Sequence, residues 1–315
     1  MILFTADWHL KLGQKNVPLP WACTRFELFF DQIRTLELAA DIHIIGGDLF
    51  DRVPSMDELT LYFDFIKDVS IPTFIYDGNH EATKKNKTFF SNLKRATQNV
   101  NDLVTIVDKT TEFEWGTILP YCDLHKKGSI EKCNPKKSLF THVRGEIQPH
   151  VTPEVDLDRF KPFPNVFAGD LHAHSNTQRN IVYPGSPMTT SFHREEVQTG
   201  YITINDDWSW TWHNFDLPQL IRKTVTDPAD MVLTDFHHTI YEIEGDVADL
   251  ANVKNSELLD KKVIKRSSQS TLNLKNLTIE EELAEYLSAI LNLKDEKINK
   301  IMGVFNDYSK NITMG

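Results

Sequence analysis

Five short stretches of the chain each end an apolar run with residues whose side chains bind hard metal ions. These stretches are Asp7-Trp8-His9, Gly47-Asp48-Leu49-Phe50-Asp51, Gly78-Asn79-His80-Glu81, His142 and Gly169-Asp170-Leu171-His172. Asp and Gly also cluster in ordinary turns, so a single stretch of this kind indicates little. Five of them in order, each after an apolar run, indicate a site that binds two metal ions and hydrolyses phosphoesters.

Two divalent cations would supply the chemistry that phosphodiester cleavage requires. Cations about 3.5–4 Å apart neutralise charge on the phosphoryl group and generate a hydroxide at neutral pH. Asp48 is the natural bridging ligand, because an acid directly after a central strand can reach both ions. If Asp7, Asp48 and Asp170 converge to within roughly 5 Å, each pair repels by about 3 kcal/mol at an effective dielectric constant of about 20. Bound cations would make that cluster tolerable.

The ligand types and their neighbours refine this expectation. Mixed oxygen and imidazole ligands suit manganese, iron or zinc, so we expect Mn²⁺, with Mg²⁺ as the alternative. His80 follows Asn79, a predicted ligand, and its side chain should face the substrate, where it could stabilise the transition state or protonate a leaving oxygen. A histidine that only packs in the core is the alternative. Asp51 is equally well interpreted as a ligand or as a hydrogen-bond acceptor behind the ligands.

The elements that would position these residues alternate between strands and helices. Short apolar runs predict strands, and apolar residues at helical spacing predict the helices between them. In chain order we expect a strand over 1–6, a helix over 24–40, a strand over 42–45, a helix that opens with the capping box Ser55–Glu58, and a strand over 72–76. This alternation favours a parallel sheet that binds ligands beyond the carboxyl ends of its strands.

Strand-like runs replace the helical pattern after Val100, notably at 103–107, 138–142 and 165–168. A second sheet that packs on the first is therefore expected, and the predicted fold class is an α/β sandwich of two sheets. A hairpin is predicted from 201–204 and 208–215. Its tryptophans would pack against the core, in the simpler interpretation, or form a platform on which bases stack; they are Trp208, Trp210 and Trp212.

Changes of pattern predict three domains. The main domain would span 1–217, a small α+β cap domain 218–270, and a C-terminal helical segment 271–315. The cap carries a basic patch, formed by Lys261, Lys262, Lys265 and Arg266. A linker-like stretch at Ser267–Ser270 precedes a second capping box at Thr278–Glu281, and two amphipathic helices follow. These helices would either dock on their own domain or bind a partner by a helix-in-groove arrangement.

Composition limits the classes of function that fit. The chain has 315 residues with a formal net charge of -11, which argues against binding nucleic acid through its whole surface. Its three cysteines show no CxxC spacing, so neither a disulfide framework nor a structural zinc site is indicated. No apolar run is long enough to span a bilayer, and no signal peptide is evident. A cytoplasmic location is expected.

Together with the downstream stretches Tyr183–Pro187 and Ser191-Phe192, these motifs resemble the nuclease subunit of SbcCD-type recombination complexes. That subunit is a calcineurin-like metallophosphoesterase, and its short bacteriophage versions look most similar. The DxH, GDxxD and GNH motifs characterise the wider superfamily, whereas the GSP-x-x-x-S-F stretch is typical of the double-strand-break nucleases. The resemblance covers roughly residues 1 to 195 well and the remainder only in layout.

The resemblance implies which residues hold each metal ion. Its ligand set for the first ion is Asp7, His9, bridging Asp48 and His172, and for the second ion Asp48, Asn79, His142 and Asp170. His80 would be the catalytic histidine. In the family, Gly-His-x-His is usual at the last motif, so Asp170 is a departure that adds negative charge; the alternative alignment uses His172 and His174. Glu81 replaces the commoner aspartate after GNH, which affects only the residues behind the ligands.

The family further implies a manganese-dependent exonuclease and endonuclease on DNA ends, in repair, recombination or replication. It would dimerise and act with an SbcC-type coiled-coil ATPase bound by the C-terminal helices, while the cap positions DNA. Two alternatives remain open from the sequence. One is a phosphatase or small-molecule phosphodiesterase of the same superfamily, and the other is a non-catalytic scaffold that binds DNA ends with a weakened second metal site.

Overall fold

The computed structural model describes residues 1–84, 87–265 and 277–312. The strands are β1 (Ile2–Thr5), β2 (Ile42–Gly46), β3 (Thr73–Tyr76), β4 (Ala82–Lys84), β5 (Lys87–Thr88), β6 (Val104–Val107), β7 (Thr111–Glu112), β8 (Thr117–Leu119), β9 (Leu139–His142), β10 (Val166–Gly169), β11 (Ile181–Val182), β12 (Gly200–Ile204), β13 (Trp210–Asn214), β14 (Leu220–Val225), β15 (His238–Gly245) and β16 (Leu259–Ile264). The helices are α1 (Leu19–Glu37), α2 (Met56–Ile66), α3 (Phe90–Val100), α4 (Tyr121–Leu124), α5 (Ser129–Lys132), α6 (Val247–Asn252), α7 (Ile279–Ala289) and α8 (Asp295–Ile312). Single 3-10 turns cover Leu157–Phe160, His174–Asn176 and Pro228–Asp230.

The first sheet has six strands in the order β13-β12-β1-β2-β3-β6. Strands β1, β2, β3 and β6 run parallel, whereas β12 pairs antiparallel with β1 and β13 pairs antiparallel with β12. The parallel part follows the predicted alternation of strands and helices. The carboxyl ends of β1, β2 and β3 therefore lie side by side, which is where three of the five motifs begin.

The second sheet has five strands in the order β11-β10-β9-β8-β7, parallel except for β7. A core of buried side chains from both sheets fills the space between them. Within it the ring of Phe4 lies 5.6 Å from that of Phe140 and 6.0 Å from that of Phe167. Burial of such rings is a main source of stability. The predicted fold class, a two-sheet α/β sandwich, is confirmed.

The helix ends show where local signals succeeded. Ser55 caps α2 and accepts from the backbone N–H of Glu58, whose carboxylate accepts from the Ser55 N–H in return, as predicted. Helix α1 begins at Leu19, five residues before the predicted start. Pro20 lies in its first turn, where backbone N–H groups have no acceptor within the helix. A proline, which has no N–H, is therefore tolerated there. Helix α3 has no counterpart among the elements predicted from the sequence.

The β12–β13 hairpin presents its tryptophans to the core rather than to solvent. Trp208, Trp210 and Trp212 are half-buried and pack against the cluster between the sheets. The indole N–H of Trp212 donates to the Pro184 carbonyl at 2.8 Å. This arrangement matches the simpler of the two interpretations, because rings engaged in this way do not offer both faces to bases.

The chain separates into two compact units. The first comprises residues 1–243 and 254–262, and the second comprises residues 244–253 and 263–315. In the second unit, Thr278 caps α7 in the predicted box with Glu281. The predicted domain boundaries at 217 and 270 stay predictions, and Arg266 and the linker-like Ser267–Ser270 lie outside the described residues. Among the described helices, none combines the length and apolar character needed to cross a membrane.

Candidate metal centre

Every predicted ligand lies at or just beyond the carboxyl end of a strand. Asp7 and His9 follow β1, Asp48 follows β2, and Asn79 follows β3 in the first sheet. The second sheet contributes the rest, namely His142, the last residue of β9, and Asp170 and His172, which follow β10. The structure brings together residues up to 165 positions apart, namely Asp7 and His172, because the strand ends of both sheets open at the same edge of the sandwich.

Backbone strain is concentrated at the same positions. Asp7, His9, Asp48 and Asp170 have φ values of 56°, 47°, 48° and 104°, a region that residues with a side chain rarely adopt. Such conformations persist only where the surrounding structure holds them, and they cluster at functional sites. Gly47, with φ 84°, precedes Asp48; a Cβ there would lie 2.5 Å from Nδ1 of His142.

One group of candidate ligands centres on His9 and His172. Their Nε2 atoms lie 3.0 Å apart, and one ligand atom from each of Asp7, His9 and His172 lies within 4.8 Å of the others. Ligands bonded to a metal ion at about 2.1 Å and at right angles are about 3.0 Å apart. The spacing of the two imidazole nitrogens therefore fits adjacent positions around one ion.

A second group centres on the amide of Asn79. Its Oδ1 lies 3.0 Å from Nε2 of His142, and an amide nitrogen in that place would lie 3.2 Å from Oδ2 of Asp48 and Oδ1 of Asp170. Nδ1 of His142 lies 3.0 Å from the carbonyl of Gly46 and donates to it, which turns Nε2 toward the group. With the amide turned over, its nitrogen would donate hydrogen bonds to the other three atoms. A cation would instead bind the amide oxygen together with them, once it has displaced the proton of His142. These residues fit a metal ion.

Asp48 lies between the two groups. Its Oδ2 is 3.8 Å from Nε2 of His9 on one side and 3.4 Å from Nε2 of His142 on the other. Its Oδ1 accepts from the backbone N–H of His80 at 2.9 Å, which fixes the carboxylate. This placement is what a bridging ligand requires.

Burial and charge shift the protonation of the cluster. Burial raises the pKa of Asp7 well above its usual range, and burial lowers the pKa of His9 to about 3. Burial alone would lower the pKa of His142, but the carboxylates of Asp48, Asp7 and Asp170 outweigh it and raise that pKa well above its usual range. The cluster therefore holds protons at neutral pH that a bound cation must displace.

His80 borders the cluster from the solvent side. Its side chain is 35% exposed, and its Nε2 lies 3.9 Å from Oδ2 of Asp48. Its Nδ1 hydrogen-bonds to the backbone carbonyl of Asp51, so the ring presents Nε2 to the cluster. The carboxylate of Asp51 pairs with Lys11 at 2.8 Å and lies 3.7 Å from Nδ1 of His9, which places it behind that ligand.

Glu81 is fully buried beneath the cluster. Its carboxylate accepts from three backbone N–H groups, those of Asp48 at 3.0 Å, Phe50 at 2.9 Å and Gly78 at 2.8 Å. Glu81 thereby joins the loop after β2 to the loop after β3. Burial, followed by the Asp48 charge, raises the pKa of Glu81 to about 8 despite these three donors.

The geometry distinguishes the two alignments of the last motif. Asp170 reaches the cluster, with Oδ1 3.9 Å from Nε2 of His142. His174 instead donates from Nδ1 to the Tyr183 carbonyl at 2.7 Å, and its ring stacks on Trp212 at 5.1 Å. The structure therefore favours Asp170 over His174 as a candidate ligand.

Three residues at the site were not singled out as functional from the sequence. The guanidinium of Arg144 contacts both carboxylate oxygens of Asp170. Ser186 donates to the carbonyl of Asp7 at 2.7 Å, and the hydroxyl of Thr190 lies 3.3 Å from Nδ1 of His172. The position of Ser186 in the GSP stretch was an available signal, whereas nothing local indicates Arg144 or Thr190.

The fold and this group of Asp, His and Asn side chains define a metal-dependent phosphoesterase. The chain belongs to the calcineurin-like phosphoesterase family, whose pattern residues 1–198 match, and it is therefore a hydrolase of a family that uses divalent metal ions. It is 37% identical over 327 residues to the "Probable exonuclease subunit 1" of Escherichia phage T5, covering 98% of each chain. The predicted resemblance to a bacteriophage nuclease subunit is confirmed by this relative.

Two further similarities are more distant. The chain is 24% identical over 233 residues to the "Putative phosphoesterase 244L" of Invertebrate iridescent virus 6, covering 65% of this chain and 76% of that protein. Among solved structures, it resembles the protein TT1561 of Thermus thermophilus with a TM-score of 0.42 and 11% identity, covering 68% of this chain and 97% of that one.

Proposed function

We propose that this protein is the nuclease subunit of a DNA-processing complex and hydrolyses phosphodiester bonds at DNA ends, as an exonuclease and endonuclease, by a two-metal mechanism. The observation that carries the proposal is the convergence of seven candidate ligands from five strand ends. The similarity along nearly the whole chain to a phage protein named as an exonuclease subunit supports DNA as the substrate. The complex would act in repair, recombination or replication, in the host cytoplasm.

The proposed ligands divide between the two groups described above. Asp7, His9, Asp48 and His172 would hold one ion, and Asp48, Asn79, His142 and Asp170 the other. Mn²⁺ suits this mixture of oxygen and imidazole ligands, and Mg²⁺ is the alternative. When bound, the two ions supply charge neutralisation at the phosphoryl group and lower the pKa of water.

His80 would act on the substrate directly. The Asp51 carbonyl holds its Nδ1, so Nε2 is free to stabilise negative charge or to give a proton to the leaving oxygen. Its partial exposure lets a polymer approach the ring. Glu81 would keep Asp48 and Asn79 in place through the three backbone N–H groups that it binds.

The surface of the C-terminal helices supports the proposal that an ATPase of the SbcC type is the partner. Apolar side chains on α7 and α8 are exposed, including Ile279 at 70% and Val304 at 68%. A cavity of about 520 Å³ lies in this helix pair, lined by Leu283, Lys300, Ile301, Val304 and Phe305. Such a surface suits a helix of a coiled coil laid into a groove. An ATPase that contributes basic surface would also explain how a chain of net charge -11 acts on DNA.

A role for residues 218–270 in positioning DNA is part of the same proposal. Lys261 and Lys262 lie on β16, and Arg222 and Lys223 lie on β14 of the same three-stranded sheet. Positive side chains of this kind contact phosphates without reading sequence. A homodimer is likewise proposed, on the basis of the family resemblance.

The decisive experiment is degradation of end-labelled linear DNA with Mn²⁺, with and without the ATPase partner. His80→Ala should reduce the rate about 100-fold or more, the range for loss of a general acid. His150→Ala, at an exposed position outside the cluster, is the matched control and should leave the rate unchanged. A metal-loaded protein that leaves DNA intact with its partner, but turns over phosphomonoesters or cyclic nucleotides, would contradict the nuclease proposal.

A further inference from the structure

An ion pair joins the candidate ligand Asp170 to Arg144. The guanidinium Nε lies 3.3 Å from Oδ2 of Asp170, and one terminal nitrogen lies 3.3 Å from Oδ1. The pair follows from the sheet, because His142 and Gly169 are paired residues of the parallel strands β9 and β10. Arg144 lies two residues beyond the end of β9, and Asp170 lies one residue beyond the end of β10. A planar guanidinium that contacts both oxygens, as a fork, fixes the orientation of a carboxylate and also offsets its charge.

Asp170 needs such a partner because of what surrounds it. It is one of three carboxylates that converge on the site, with Asp7 and Asp48. Its side chain is only 5% exposed, and its own backbone N–H donates to Asp7 at 3.0 Å. A cation that offsets one of these three charges lowers the repulsion among them. A carboxylate has about four lone-pair positions, so the fork leaves room for a metal ion on Oδ1.

Arg144 is itself held from the other side. Its Nε lies 3.8 Å from Oε1 of Glu154, and Oε2 of Glu154 lies 2.9 Å from Nε2 of His125. The guanidinium is thus anchored between two acidic groups although its side chain is 39% exposed. A single exposed ion pair would gain little, whereas a network with a buried acidic member is held in one geometry.

We propose that Arg144 is a positioning residue. It orients the Asp170 carboxylate and offsets its charge, so that Asp170 can serve as a ligand of the second metal ion. The inference rests on the proposed two-metal function of the site. It concerns metal binding alone, and this can be measured without DNA.

The test is calorimetric titration of Mn²⁺ into the full chain after its metal has been removed with a chelator. Arg144→Gln should weaken one of two binding steps by about tenfold, as removal of a group that holds a ligand typically does. Arg159→Gln is the matched control, because Arg159 makes a similar two-point contact with Glu131 outside the site. Arg144→Lys retains the charge but not the fork, and should recover part of the lost affinity.

A double-mutant cycle tests whether Arg144 acts through Asp170. In the Asp170→Asn background, Arg144→Gln should change Mn²⁺ affinity less than about twofold, because the charge it offsets is gone. The proposal fails if Arg144→Gln binds Mn²⁺ like Arg159→Gln, binds it more tightly, or loses equal affinity in both backgrounds. If the expected coupling is found but the wild-type complex leaves DNA intact, the nuclease proposal fails and the role of Arg144 stands.

Discussion

The imidazoles of His9 and His172 point their Nε2 atoms at each other across 3.0 Å, although 163 residues separate them in the chain. The two rings pack edge to face with centroids 4.8 Å apart. Two imidazoles in this arrangement share at most one proton, so one nitrogen of the pair always offers a lone pair. The carboxylates of Asp7 and Asp48 are buried beside them. A divalent cation is the species that would satisfy both nitrogens and the carboxylates at once.

Metal ions should therefore stabilise the folded protein strongly. A cation that binds the folded cluster and not the unfolded chain at 100 times its Kd adds about 2.7 kcal/mol to the free energy of unfolding. We expect Mn²⁺ to raise the melting temperature of chelator-treated protein by about 5–10 °C, since 1 kcal/mol shifts Tm by about 2–4 °C in large domains. Calorimetric melting with and without Mn²⁺ is the measurement, and Ca²⁺ or K⁺ at equal ionic strength controls for general salt effects.

Asp7→Asn should separate stability from metal binding. Burial raises the pKa of Asp7, so its ionised form opposes folding when no metal is present. An asparagine oxygen can still accept from the Asp170 N–H, which now donates to Asp7 at 3.0 Å. In chelator at about pH 8, the variant should melt about 2–4 °C above the wild type, yet gain little from Mn²⁺. A variant that melts lower than the wild type in chelator would contradict this account.

The metal-free protein should lose stability as the pH rises from 6.5 to about 8. The pKa of Glu81 is raised from 4.5 to about 8 in the fold, so the folded chain holds a proton that the unfolded chain has lost over that interval. Asp7 and His142, whose pKa values are also raised, act in the same direction. The lowered pKa of His9 has the opposite effect, but only between about 3 and 6.5.

Glu81→Gln isolates this contribution. A neutral side chain has no proton to lose, so the decrease in the free energy of unfolding between pH 6.5 and about 8 should be smaller by about 1–2 kcal/mol than in the wild type. Urea unfolding in chelator at the two pH values measures the difference. Equal pH dependence in both proteins would mean that Glu81 stays ionised in the fold.

Gly47→Ala should damage the site through the backbone. At φ 84° the added Cβ would lie 2.5 Å from Nδ1 of His142 and 2.9 Å from the backbone of Gly78. Gly128 has a similar φ of 74° but no atom within 4 Å of an added Cβ, so Gly128→Ala carries the backbone strain alone. We expect about 1 kcal/mol of destabilisation for Gly128→Ala and at least about 3 kcal/mol for Gly47→Ala. Denaturant unfolding of both variants measures this, and only Gly47→Ala should also weaken Mn²⁺ binding.

Much of the fold follows from local patterns. Apolar runs located β1, β2, β3 and β9 to within two residues, because a buried parallel strand needs a continuous apolar stretch whatever surrounds it. Capping boxes located the starts of α2 and α7, since Ser55–Glu58 and Thr278–Glu281 satisfy helix-end N–H groups within four residues. The apolar spacing predicts too late a start for helix α1, because its first turn lacks such a box.

The sequence by itself determined that metal-binding side chains follow successive strands, and hence the class of chemistry. Only the tertiary structure decided which of them meet. It turned His174 onto Trp212 and Asp170 into the cluster, placed Arg144 on the Asp170 carboxylate, and set Glu81 beneath Asp48. The physical reason is range: strand and helix signals act within a few residues, whereas a metal site depends on atoms from distant strands that approach within about 3 Å.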